Sequence, residues 1–181
     1  MISLYLSNMS SDDIKHGRDP KFFRPDFSLS AEDRVRTLGS AFIENASQDA
    51  WDGRLMRECC KLISASAETA SVVYEVTIEQ FLCNVGKTLH GGAAATILDH
   101  LASTALFTIS KPGFLDRGMF SRTLTVTFLR PVPIGTKAIV EAEVVSAGST
   151  LANVRGVIKT PDGRPCVTCI LDLALGSAPK L

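Results

Sequence analysis

The chain has 181 residues, 45% of them hydrophobic, with 19 basic and 19 acidic side chains and no net charge. That size and apolar content suit a single domain with a sizeable core and an appendage. No basic run marks a nucleic-acid or membrane-surface patch, and no apolar stretch reaches spanning length, so neither nucleic acid nor a membrane span is expected.

Residues 1–30 hold turn chemistry without periodicity, as in Arg18-Asp19-Pro20 and Phe23-Arg24-Pro25. The start has neither the apolar region of a secretory signal nor the Arg-rich character of a mitochondrial one. Ser30, with Asp33 at the capping-box position, predicts a helix over 31–46, and Val35, Leu38, Phe42 and Ile43 fall at helical spacing. Residues 1–50 are therefore expected to form an N-terminal extension with one helix, and residues 51–178 the main domain. Residues 55–65 and 71–78 read as strands joined by a turn at 67–70, and 79–89 as a loop. Residues 93–110 contain no Gly or Pro and predict one long buried helix, ended by Pro112-Gly113. Four strands follow, over 119–129, 138–147, 151–160 and 166–175, expected as a meander. In the first of them strict alternation puts Phe120, Arg122, Leu124, Val126 and Phe128 on one face, and Ser121, Thr123, Thr125 and Thr127 on the other. The class is α+β: an antiparallel sheet of about six strands wrapped round one long central helix, with an extra N-terminal helix.

The chemistry gathers where Asn84-Val85-Gly86-Lys87-Thr88-Leu89-His90-Gly91-Gly92 runs into that central helix. The first N–H groups of a helix have no partner inside it, and the dipole there favours negative charge. Two glycines leave those groups uncovered, so this end can hold a phosphate or a developing oxyanion. One carboxylate, Asp99, sits within the apolar helical run, where it is costly unless paired or employed. His90 and Asp99 are nine residues apart, roughly 13 Å along a helix and half a turn round it. They serve different sites, or a second copy of the chain completes one site. A two-fold dimer brings Gly91 of one subunit toward Asp99 of the other.

Each of these residues also has a bland reading. Asn84 suits a turn, and His90 a helix start or a core position. Gly91 and Gly92 suit close packing, and Ser121 is an ordinary strand residue. Asp99 could pair with Arg122 or His100. His100 itself points about 100° away from Asp99 and falls outside the site. Five cysteines (Cys59, Cys60, Cys83, Cys166, Cys169) show no disulfide-framework spacing, which favours reduced thiols inside a cell. Cys166 and Cys169 have the spacing of a redox or metal pair, but in a strand they point to opposite faces. Neither a metal nor a cofactor is expected.

Asn84, His90-Gly91-Gly92, Asp99, and Ser121 at the start of a strand leading to Leu129-Arg130-Pro131, all at their observed spacing, resemble the PaaI-like hotdog acyl-CoA thioesterases. Within them the chain is closest to the eukaryotic branch represented by thioesterase superfamily member two. The resemblance covers residues 55–176. It implies a hotdog fold, a homodimer or a homotetramer made of two dimers, and hydrolysis of acyl-CoA by direct attack of water. By that resemblance the Gly91 N–H polarises the thioester carbonyl, and Asp99 of the other subunit is the general base or orients the water. Asn84 and His90 form a polar floor that fixes the glycine loop, and Ser121 holds the water. Thr123 departs from the acid that this branch carries, which bears on substrate preference.

The residues read alone agree with this chemistry, because thioester hydrolysis needs an oxyanion binder and a base. There is no Gly-x-Ser-x-Gly elbow to supply another nucleophile. For the CoA moiety, Gly92, Arg130, Lys137 and Arg155 are candidate contacts, together with the hairpin Gly148-Ser149-Thr150. The competing readings are a hotdog hydratase or dehydratase and a non-catalytic acyl-CoA-binding module. An intracellular, cytoplasmic location is expected; the terminal Pro179-Lys180-Leu181 is one residue from a peroxisomal address.

Overall fold

The computed structural model describes residues 25–45, 51–115 and 118–176. The peroxisome-like tail and the first 24 residues lie outside this set. Helix α1 (Ala31–Asn45) begins at the expected cap: the Asp33 N–H donates to Ser30 Oγ at 3.1 Å, and Ser30 Oγ donates to Asp33 Oδ2 at 2.7 Å. Val35 enters the core, and the Arg34 guanidinium donates to the carbonyls of Leu29, Phe107 and Ser110. One side chain thus fastens this outer helix to the main domain and satisfies carbonyls left over at a helix end.

Helix α2 (Trp51–Glu58) corrects the strand expected from residue 55; strand β1 (Cys60–Ser66) starts later. Asp52, Leu55, Met56 and Cys59 bury their side chains here, spaced three and four apart. That spacing lets a helix bury one face while pairing its own backbone. Strand β2 (Ser71–Thr77) follows a tight turn in which Ala70 takes φ 48°.

The long helix predicted over 93–110 is two helices. Helix α3 (Gly91–Ser103) starts two residues early, and a single turn, α4 (Ala105–Thr108), continues after a break. Ser103 Oγ and Thr104 Oγ1 donate to the carbonyls of His100 and Leu101 at 2.8 and 2.6 Å. Such back-bonding competes with the helical ladder. Tyr74 Oη bonds Thr104 Oγ1 at 2.9 Å and fixes the break against β2.

Strands β3 (Met119–Phe128), β4 (Lys137–Ala147), β5 (Leu151–Lys159) and β6 (Pro165–Leu175) complete one antiparallel sheet in the order β1-β2-β4-β5-β6-β3. The expected four-strand meander holds for β4 to β6 only. Strand β3 pairs with β6 and forms the far edge of the sheet. The chain between β3 and β4 crosses the start of α3, where the Leu89 N–H donates to Val132 O and the Ile134 N–H to Lys87 O.

Helix α3 lies along the inward face of the sheet, with Ile97, Leu98 and Leu101 fully buried, which is the hotdog architecture. Each such side chain contributes about 1.5–3 kcal/mol by leaving water. Helix and sheet approach closely at Gly156, where a Cβ would lie 3.2 Å from Leu98 Cδ2 and 2.9 Å from Cys169 Sγ of the next strand.

A buried polar pair joins α2 to α3. His100 Nε2 stands 3.1 Å from Asp52 Oδ2, and the second Asp52 oxygen is buried without a hydrogen-bond partner among the described residues. Asp52→Ala removes the carboxylate that faces the imidazole, and the expected loss of stability is about 3 kcal/mol, read by denaturant unfolding at neutral pH. The hydrogen bond from His100 holds the Asp52 carboxyl below its ordinary value. A carboxyl lowered by folding stabilises the native state above its unfolded value, and that contribution fades as pH falls through the lower folded value. The gap between parent and variant is therefore expected to narrow below about pH 4.

Candidate active site at the start of the central helix

The loop before α3 is built round one side chain. Asn84 Oδ1 accepts from the Gly86 N–H at 2.9 Å and the Thr88 N–H at 3.3 Å, while Asn84 Nδ2 donates to Thr88 Oγ1 at 3.0 Å. In addition, the Asn84 N–H donates to Thr88 O, and Lys87 takes the left-handed φ of 56° to close the turn. The turn-residue reading of Asn84 thus describes its role within one chain. That turn delivers His90 to the helix start at a fixed height, with its N–H donating to Leu82 O at 2.8 Å.

His90 is the N-cap of α3. Its Nδ1 accepts from the Gly92 N–H at 3.0 Å. A neutral imidazole that accepts at Nδ1 carries its hydrogen on Nε2, so this ring presents a donor outward. The cap takes up the Gly92 N–H, and Gly92 is therefore not a free donor for a ligand. The Gly91 N–H finds no acceptor among the described residues. It is the first helical donor, where the helix dipole adds its field. Beside Gly91, on the side a Cβ would take, stands the Phe128 ring: that Cβ would lie 3.2 Å from Phe128 Cζ and 3.4 Å from Cε1.

Asp99 is half-buried on the same helix, two turns further on. Its Oδ1 accepts from Ser121 Oγ at 2.5 Å. The bulge in β3 opposite β6, between Ser121 and Thr123, makes this contact. An extra residue at that point turns Ser121 to the helix side, together with Leu124 and Val126. Strict alternation places Ser121 on the opposite face from those two, and the bulge corrects it. The hydroxyl of Ser121, not the side chain of Arg122 or His100, meets the Asp99 carboxylate here, and His100 faces Asp52.

The expected site residues thus fall into two groups. Asn84, His90, Gly91 and Gly92 meet at the start of α3, and Asp99 meets Ser121 about 12 Å along it. One chain does not bring the groups together. Arg130 and Lys137 lie at the sheet end nearest Gly91, since Phe128 pairs with Val167 there and Lys137 with Thr77. Arg130 donates to Pro165 O and Lys137 pairs with Glu75. Gly148, Ser149 and Thr150 lie at the opposite end, beside Leu175. Arg155 pairs with Glu143 across β4 and β5, away from α3. Phe128 escaped the sequence reading; its place at the end of an alternating strand was the available signal.

Cys59, Cys60 and Cys169 offer no nucleophile. All five cysteines are free, and burial pushes the Cys59 and Cys169 thiols up to about 11 and Cys60 to about 12. Thiols so placed stay protonated at neutral pH. No helix among the described residues is long and apolar enough to cross a membrane.

Comparison with known proteins bears on what this arrangement does. Residues 86–167 match the family described as Thioesterase superfamily. Human acyl-coenzyme A thioesterase 13 is 31% identical over 94 residues, which are 51% of this chain and 63% of that protein. The chain thus spans less than two thirds of that relative's length. The crystal structure of zebra fish thioesterase superfamily member 2 superposes with a TM-score of 0.67 at 26% identity, covering 82% of this chain and 99% of that one. A Streptococcus mutans protein crystallised with acetyl CoA shares the fold, with a TM-score of 0.59 at 14% identity over 68% of this chain and 94% of that one.

Proposed function

We propose, from the match of residues 86–167 to the Thioesterase superfamily, that this chain hydrolyses acyl-CoA thioesters to a free acid and CoA. One observation carries the reading. The Gly91 N–H at a helix start, without an acceptor among the described residues, lies on the same helix as a carboxylate already bonded to a hydroxyl. These are the oxyanion donor and the base that thioester hydrolysis needs. The relatives' thioesterase names and the acetyl CoA bound to the Streptococcus protein support the same chemistry.

The two groups meet across a dimer in this reading. Strand β3 is an edge with one side unpaired among the described residues, and it runs alongside α3, with Phe128 beside Gly91 and Ser121 beside Asp99. Antiparallel pairing of β3 with a second copy sets a two-fold axis between those contacts. Gly91 of one subunit then faces the partner's Asp99. The substrate carbonyl oxygen accepts from the Gly91 N–H. The partner's Asp99, held by its own Ser121, takes a proton from water as the water oxygen bonds the carbonyl carbon. The tetrahedral adduct collapses, the C–S bond breaks, and the CoA sulfur leaves with the proton that Asp99 held. Asn84 and His90 keep the Gly91 N–H in position. Arg130 and Lys137, with Gly92 near them and the hairpin 148–150 of the second subunit, are placed to meet the CoA moiety. Two such dimers make the tetramer.

Residues 51–178 form the catalytic domain in this reading and residues 1–50 an addition to it. The free thiols accord with a reducing, cytoplasmic setting. Release of free thiol from a panel of acyl-CoAs, short to long and aromatic, tests the proposal. Turnover supports it. Binding without thiol release on every member contradicts it in favour of a binding module, and dehydration of a 3-hydroxyacyl-CoA without thiol release favours a dehydratase.

A further inference from the structure

The Phe128 ring is in excess of what hydrolysis needs. It ends the helix-facing row of β3 after Leu124 and Val126, yet unlike them it is 58% exposed, so it adds little to the core. Its tip, and not its face, is aimed at Gly91: Cζ, Cε1 and Cε2 would lie 3.2, 3.4 and 3.8 Å from a Cβ there. A carbonyl oxygen bonded to the Gly91 N–H stands about 2.9 Å from the nitrogen. Its carbonyl carbon and the two atoms on it, the sulfur and C2 of the acyl group, therefore fall within about 5 Å of Gly91. That is the shell the ring tip occupies. A substituent on C2 widens the group that must fit beside the ring tip, whereas a CH2 group adds no such width.

We propose that Phe128 is a specificity-determining residue whose ring tip, closing over Gly91, admits acyl-CoAs with an unbranched C2 and rejects those branched at C2. The inference rests on the thioesterase reading above and adds the substrate class. The close contact also bears on position 91 itself, because any side chain there meets the ring.

The test compares hexanoyl-CoA with 2-methylhexanoyl-CoA in the parent, Phe128→Leu and Phe128→Ala. One methyl group against a fixed wall is worth roughly tenfold or more in kcat/KM. The parent is expected to favour hexanoyl-CoA by that factor. Phe128→Ala is expected to bring the ratio to within about threefold of unity, mainly by a gain on the branched substrate, with Phe128→Leu between. A ratio unchanged across the three proteins overturns the proposal, as does a loss shared equally by both substrates. Failure of the thioesterase reading shows separately, as no thiol release from hexanoyl-CoA by the parent. The same ratio is then read from the binding of hexyl-CoA and 2-methylhexyl-CoA thioethers, and an unchanged binding ratio overturns the proposal equally. Circular dichroism and unfolding midpoints of the variants check that the exposed position leaves folding intact.

Discussion

Asp99→Asn is expected to lower kcat by about a thousandfold while KM moves by no more than a few-fold. The substitution keeps shape and keeps an oxygen that accepts from Ser121 Oγ, now 2.5 Å from Asp99 Oδ1. It removes only the capacity to take a proton. The water then attacks without a base, and that step carries the whole loss. Binding of the acyl-CoA depends on Gly91, the cationic residues near it and the apolar surroundings, none of which changes. A structural Asp99 gives a different result: a lower unfolding midpoint with activity per folded molecule retained. Thiol release and denaturant unfolding on the same preparation separate the two.

Gly91→Pro is expected to lower kcat by about a hundredfold with little cost in stability. Proline suits the first helical position, because its missing N–H has no partner inside the helix. His90, the residue before it, already has φ −66° and ψ 138°, the extended backbone that a following proline requires. The added Cβ presses on the Phe128 ring, which must give by a few tenths of an ångström to admit it. The substitution therefore deletes one donor while leaving the fold in place. Retained activity in a folded Gly91→Pro protein, measured by thiol release and thermal unfolding, rules out that N–H as the oxyanion donor.

The central helix and its start were legible because their signals are local. Two glycines after a histidine, then aliphatic residues without a breaker, specify where a buried helix begins. Asp99 stood out because a carboxylate in such a run needs a reason. The misread parts depend on tertiary context. Leu55 and Met56 alone fit a strand as well as a helix, and the helical face is evident only once Asp52 is seen buried with them and paired with His100. The break after Ser103 comes from hydroxyls turning back onto the helix and from Tyr74 reaching across from β2. Strand β3 looks like its neighbours in sequence, and only its crossing over the start of α3 sends it to the far edge of the sheet. The bulge at residues 121–123 leaves no local mark, yet it alone turns Ser121 to Asp99. The candidate cations were the least legible. Arg155 and Lys137 are matched by Glu143 and Glu75 across the sheet, a pairing that register decides.

In the proposed dimer each site draws Gly91 from one subunit and Asp99 from the other. Mixing the two inactive proteins, Gly91→Pro and Asp99→Asn, after unfolding and refolding them together tests it most directly. Random assortment makes half the dimers mixed, and each mixed dimer holds one site with both an intact Gly91 and an intact Asp99. Thiol release is expected to recover to about a quarter of the parental rate. If both groups act within one chain, every site in the mixture stays defective. Activity no higher than that of the two variants refolded separately, with mixed dimers present by mass, contradicts the shared site.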